Sequence, residues 1–210
     1  MNRNTNKRIR ATAALLALLL AAGCESGMLP WMGANAKPKR GHDAHTGEGS
    51  TAVMAAESSM ISIPVKLAGS KGEALGEVFL SPSPEGVRIQ GQAQGLVPGE
   101  HGFHVHENGA CTPPDFASAG GHFNPGGHVH GTKSEGGPHA GDLPNLVADA
   151  QGKAKIDIVA GAVTLEKGKP HSLLKDGGTS LVIHEKADDY KSPPAGNAGS
   201  RVACGTILPK

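Results

Sequence analysis

The chain has 210 residues, enough for one domain with extended ends. Glycine (31) and proline (15) are abundant and aromatics make up 3%, so the chain must turn often and build its core from small aliphatic residues. This composition excludes a long helical bundle. The formal charge of +1, with four of the 20 basic residues in the first ten positions, excludes the basic surface that nucleic-acid binding needs.

In chain order, Arg3, Lys7, Arg8 and Arg10 precede an apolar run, Ala11 to Ala22. The run has the length of a signal h-region and is too short to span a bilayer. It ends at Ala21-Ala22-Gly23-Cys24, which resembles the lipobox of bacterial lipoproteins, with Ala21 where leucine is usual. Residues 1–23 are therefore expected to be a lipoprotein-type signal peptide and Cys24 the lipidated residue. Ordinary cleavage after Ala34-Asn35-Ala36 is the alternative. Residues 24–59 hold Pro30, Pro38, a basic patch at Lys37–Arg40 and no sustained periodicity, and read as a flexible tether. Its Met32, His42, Asp43, His45 and Met54 read as incidental rather than as a copper-capturing set. Residues 60–210 form the expected domain.

From Ile61 the pattern changes to short alternating segments broken by glycine, proline and serine. Strands are expected at Ser62–Ala68, Ala74–Ser81, Val87–Gln94, His101–Glu107, Leu146–Ala150, Ala154–Ala160, Ser180–His184 and Arg201–Leu208. Eight short strands with no helical period argue for an all-β fold, an antiparallel Greek-key barrel or sandwich of immunoglobulin-like type. The connection from Gly161 to Gly178 is long, as a Greek key requires.

Chemistry gathers between the fourth and fifth strands. Gly120–Asp142 packs His122, His128, His130, His139 and Asp142 into a glycine-rich loop. Imidazoles with one carboxylate at short spacing are metal ligands by type, suited to zinc or copper. Alternation in HGFHVHE puts Phe103 and Val105 on one face and His104 and His106 on the other. In SLVIH, Leu181 and Ile183 share the core face and His184 the opposite one. Three histidines are thus expected on the outside of the barrel, where the loop folds back. With Cys24 accounted for by lipid, Cys111 and Cys204 are expected to pair in an exported protein; two free buried thiols are the alternative.

Five motifs resemble copper/zinc superoxide dismutases in their exported bacterial form: GFHVHE (Gly102–Glu107), GGHFNP (Gly120–Pro125), HAGDLPN (His139–Asn145), VIHEKADD (Val182–Asp189) and GNAGSRVACG (Gly196–Gly205). The resemblance covers about Ile61 to Leu208. It implies one copper per chain on His104, His106, His122 and His184. It implies one zinc on His122, His130, His139 and Asp142, with His122 shared. Asp188 matches a carboxylate linking His104 and His130, and Arg201 the channel arginine that orients superoxide. Cys111 and Cys204 match the family's disulfide. His130 is preferred to His128 by its spacing from His122. His101 is expected in a structural hydrogen bond, and His128 and His171 on the surface. The implied activity is dismutation of superoxide to oxygen and hydrogen peroxide, as antioxidant defence in the cell envelope or periplasm. His122 and Arg201 are the implied catalytic residues, and the one contact with a membrane is through the lipid. A non-catalytic copper-binding or chaperone domain on the same fold is the alternative. The matched motifs carry no dimer contacts, so monomer and homodimer both stay open. The segment from Asp189 to Ser200 lacks a charged run, with Lys191 its one base, so steering of the anionic substrate is expected to be weaker or to come from other lysines.

Overall fold

The structure is a computed structural model that describes residues 62–210. The expected signal peptide, Cys24 and the whole tether lie outside the described residues. Among the described residues there are nine strands: β1 (Ile63–Gly69), β2 (Ala74–Ser83), β3 (Gly86–Ala93), β4 (Gly99–His101), β5 (Phe103–His106), β6 (Leu146–Ala148), β7 (Ala154–Ala160), β8 (Thr179–His184) and β9 (Arg201–Ile207). They form a seven-stranded sheet in the order β5-β8-β9-β1-β2-β3-β7 and a two-stranded sheet of β4 and β6. Every pairing is antiparallel. The edge strands β5 and β7 each follow closely in sequence on a strand of the small sheet, which curls the whole into the expected Greek-key barrel.

The ninth strand arises because the expected His101–Glu107 segment is split. His101 pairs with Leu146 in the small sheet, whereas Phe103 pairs with Ile183 in the large one. Gly102 is the corner: its N–H donates to Lys186 O and its carbonyl accepts from His184 N–H. A side chain there would press on Ala198 and His104, so the chain changes sheets at a residue that has none.

Alternation builds the core. β1 reads buried, exposed, buried along Ile63, Pro64 and Val65, and β3 buries Val87 and Ile89 between Arg88 and Gln90. The inward residues Val65, Leu67, Val78, Leu80, Ile89, Ile156, Phe103, Val105, Leu181 and Ile183 meet in one apolar cluster. At about 25 cal/mol per Å² of apolar surface removed from water, such burial is the main stabilising contribution.

β5 and β8 differ from the rest, because all their residues are buried. One face packs on the core. The other is covered by the long loop, which also completes the free edge of β5. Glu107 N–H donates to Gly121 O, Phe123 N–H to Val105 O, and Val105 N–H to Gly141 O. Both ends of the loop are thus held against the strand that carries His104 and His106. A second apolar cluster of Phe116, Ala119, Val182 and Cys204 lies on the same outer side, and the Cys111–Cys204 disulfide joins it to the loop.

Candidate metal centre

The β5 alternation turns His104 and His106 away from Phe103 and Val105. β8 brings His184 alongside, and isolated bridges set Asp142 opposite His104 and His122 opposite His106. Two groups result. His104, His106, His122 and His184 each offer a ligand atom, and so do His122, His130, His139 and Asp142; within each group these atoms lie within 4.8 Å of one another. His122 belongs to both. The four histidines of the first group and His130 are buried, and His139 and Asp142 are partly so.

The outward nitrogen of most rings is tied to the protein. His104 Nε2–H donates to Asp188 Oδ2 at 2.9 Å, and His130 Nε2–H to Asp188 Oδ1 at 3.0 Å. His106 Nδ1–H donates to Gly120 O at 3.0 Å, and His184 Nδ1–H to Gly199 O at 3.2 Å. These bonds set the tautomer and leave the inward nitrogen with a lone pair. His104 Nδ1, His122 Nε2 and His130 Nδ1 are buried and have no hydrogen-bond partner. Buried polar atoms are rarely left so, and these three point into the two clusters. On the zinc-type side, His122 Nδ1 lies 2.8 Å and His139 Nδ1 3.2 Å from Asp142 Oδ1, while His130 Nδ1 lies 3.2 Å from Asp142 Oδ2. Lone-pair nitrogens around one centre, and three nitrogens with a carboxylate around another, are donor sets that copper and zinc accept.

Electrostatics keep three of the rings neutral. Burial, against the hydrogen bond to Asp188, lowers the His104 pKa from 6.5 to about 4. Burial and the neighbouring His122 lower His106 to about 2, and burial and His104 lower His184 to about 3. Burial would raise the Asp142 carboxyl, but hydrogen bonds from His122 and the Gly131 N–H outweigh it and hold the group below the usual carboxylate range. Asp188 is likewise held low, its burial outweighed by hydrogen bonds from His104 and His130. His104, His106 and His184 are therefore neutral imidazoles and Asp142 and Asp188 ionised carboxylates, the protonation states that bind metals.

Arg201 lies at the start of β9, half-buried, and lines an open recess with Asp115, Gly120, Gly121 and Ser200. Its guanidinium donates to Phe116 O and Gly120 O, both at 2.6 Å. Gly120 O also accepts from His106, so one carbonyl fixes both the arginine and a ring of the first cluster. Burial lowers the Arg201 pKa and Asp115 opposes this; a guanidinium stays charged at neutral pH regardless.

Residues 74–207 match the family model described as copper/zinc superoxide dismutase. The chain belongs to that family. Among copper/zinc superoxide dismutases, Superoxide dismutase [Cu-Zn] 2 of Aquifex aeolicus is 51% identical over 143 residues, covering 68% of this chain and 84% of that one. The superoxide dismutase-like protein YojM of Bacillus subtilis is 43% identical over 154 residues, covering 72% and 79%. Among solved structures, a double mutant of a superoxide dismutase-like protein from Bacillus subtilis matches with a TM-score of 0.68 at 45% identity, over 69% of this chain and 96% of that one. The Cu/Zn superoxide dismutase of Brucella abortus matches with a TM-score of 0.57 at 35% identity, over 70% and 99%.

Every metal-site and channel residue expected from sequence lies in the two groups or beside them. His128 is exposed, its backbone N–H bonded to Asn124 and its ring 3.3 Å from Gly136 O, and takes no part. His171 is exposed too, beside Ala162 O. His101 is buried, with Nδ1 2.6 Å from His184 O and Nε2 2.7 Å from Val97 O, the structural role expected of it. Sequence reasoning missed the carbonyls of Phe116 and Gly120, because backbone acceptors have no side-chain signature. It also missed Gly196. That glycine has φ +63, and a Cβ on it would collide with the Asp188 carboxylate and His130 Nε2. Its place in GNAGS, a few residues after the Asp188 motif, was the available signal.

Proposed function

We propose that this protein dismutes superoxide in an exported compartment, with His104, His106, His122 and His184 as the copper ligands and His122, His130, His139 and Asp142 as the zinc ligands. The observation that carries the assignment is His122. Its Nδ1 faces Asp142, while its Nε2 is buried without a protein partner beside His104 and His106. One imidazole thereby serves both groups.

Copper held there would supply the one-electron acceptor and donor that the two half-reactions need, and zinc a fixed positive charge. Two superoxide anions and two protons become one oxygen and one hydrogen peroxide. His122 Nε2 is the atom assigned to carry a proton toward the peroxide, because it is buried at the junction and otherwise unpaired. Arg201 is assigned to docking the anion: two of its five N–H groups are fixed on Phe116 O and Gly120 O, which leaves three for a small anion in the recess. Asp188 orients His104 and His130 together, so the two metal sites share one second anchor besides His122. A non-catalytic metal store is not favoured, since all four imidazoles of the first group and the arginine are present.

The Cys111–Cys204 disulfide and the bacterial relatives mark an exported protein. We further propose residues 1–23 as a signal peptide, a lipid on Cys24, residues 24–59 as a tether in the periplasm and 60–210 as the catalytic domain. The mass of the native N-terminus tests the lipid; an unmodified terminus elsewhere removes it.

The function is tested by metal analysis with a superoxide-consumption assay. About one copper and one zinc per chain are expected, with activity lost on chelation. His122→Ala is expected to lower both occupancies. Full activity with zinc alone, or both metals retained in His122→Ala, overturns the assignment.

A further inference from the structure

We infer that Tyr190 is a positioning residue that clamps the zinc-ligand segment to Asp188 at two points, just past His130 and just past Asp142. The inference rests on the metal assignment above.

Tyr190 lies two residues past Asp188 and meets three separate pieces of chain. Its N–H donates to Asp188 Oδ1 at 2.6 Å. Its carbonyl accepts from Lys133 N–H at 2.9 Å. Its hydroxyl accepts from Asn145 N–H at 2.8 Å. Lys133 is three residues after His130, and Asn145 three after Asp142. The one tyrosine thus holds the chain just beyond His130 and just beyond Asp142, the last ligand of that segment. The Lys133 ammonium sits 5.2 Å from the ring centroid, and Gly131 packs directly on the Tyr190 carbonyl, where any Cβ would clash.

Asn145 closes the clamp from the other side. Its Oδ1 accepts from Asp188 N–H at 2.9 Å, and its Nδ2 donates to Asp188 O at 3.0 Å. Asp188 is therefore gripped through its carboxylate by Tyr190 and through its backbone by Asn145, while its two oxygens hold His104 and His130. Tyr190 also adopts φ 62. A bulky residue persists in the left-handed region where its surroundings over-determine it, and such strain concentrates where geometry must be held.

The test uses Tyr190→Phe, which keeps the ring and removes the hydroxyl, with Asn145→Ala as the second variant. The fully metallated protein is mixed with a chromogenic zinc chelator, and the release rate is read. Cobalt is loaded at the zinc site in parallel, and its visible spectrum is recorded. Groups bonded directly to a metal ligand are typically worth about 10–100-fold in metal affinity, and Tyr190 stands one bond further out. The low end applies: zinc release about tenfold faster in Tyr190→Phe is expected, with a shifted cobalt spectrum. Asn145→Ala is expected to act likewise. The double variant should fall short of the product of the two, because both act through the same aspartate. Unchanged release and an unchanged cobalt spectrum in Tyr190→Phe overturn the inference, including the case where metal-free unfolding alone shifts, which would make the hydroxyl a scaffold bond. If the wild-type protein takes up no zinc or cobalt at this site, the metal assignment itself fails and the inference with it.

Discussion

The disulfide joins two functions that can be separated by removing it. Cys111 and Cys204 are 93 residues apart, with Cα atoms 5.6 Å from one another. In the chain-entropy description, closing a loop of that length removes enough freedom from the unfolded chain to contribute about 4.7 kcal/mol. For a domain of roughly 150 residues, that corresponds to a fall of about 15 °C in Tm. Cys111→Ala with Cys204→Ala is the suitable perturbation, because serine would bury a hydroxyl among Phe116, Ala119 and Val182. Thermal unfolding of the metal-free variant, against the oxidised parent, reads the stability. The same bond tethers the segment that presents Phe116 O and Gly120 O to Arg201. Well below its Tm, the metallated variant should therefore lose kcat/KM as well. A Tm within about 3 °C of the parent would refute the entropic reasoning, the residual lying within ~1 kcal/mol of no effect. A large stability loss with kcat/KM intact would refute the link to the arginine.

Arg201→Ala is expected to lower kcat/KM about 10–100-fold with both metals retained, the worth of a charge-assisted hydrogen bond to the anion, and to flatten the dependence on ionic strength; an unchanged rate and salt dependence would remove its docking role. Gly196→Ala should displace the Asp188 carboxylate and loosen both sites, with about 10–100-fold weaker metal retention in chelator competition; parental retention would show that the loop gives way instead. Metal-free protein should lose stability on acidification. His104, His184 and His106 titrate at about 4, 3 and 2 when folded and near 6.5 when unfolded, so between these values the unfolded chain binds more protons. The contribution of these three groups then rises with pH across about 4 to 6.5 and is complete above it, each adding a slope of about 1.4 kcal/mol per pH unit. Denaturant midpoints measured through that window, with chelator present, check the sign; a midpoint that rises on acidification would contradict it.

The proposed metal ligands were legible because strand alternation and motif order are properties of side chains. Phe103 and Val105 against His104 and His106 define two faces by residue type alone, and Leu181 and Ile183 against His184 repeat the pattern. The strands were legible for the same reason, except at Gly102. There the chain turns a corner inside one short segment, and hydrogen bonds rather than residue type decide which sheet each side joins. Alternation also set the histidines on an outer face without showing that this face is buried. That depends on Gly121 and Gly141 pairing with the free edge of β5, a contact between backbones. The grip of Tyr190 and Asn145 on Asp188 was hidden for a like reason, since most of its bonds end on main-chain atoms.

The completion of the β5 edge by the loop has a consequence for the order in which the molecule can be assembled. His106 and His184 are 78 residues apart, and they meet through β5–β8 pairing; His122 arrives when the loop settles on that edge. No subset of neighbouring residues reproduces the four-imidazole group, so an unfolded chain cannot offer it to a passing metal ion. The barrel has to close first. The four-imidazole group can therefore select its metal only after the barrel has closed.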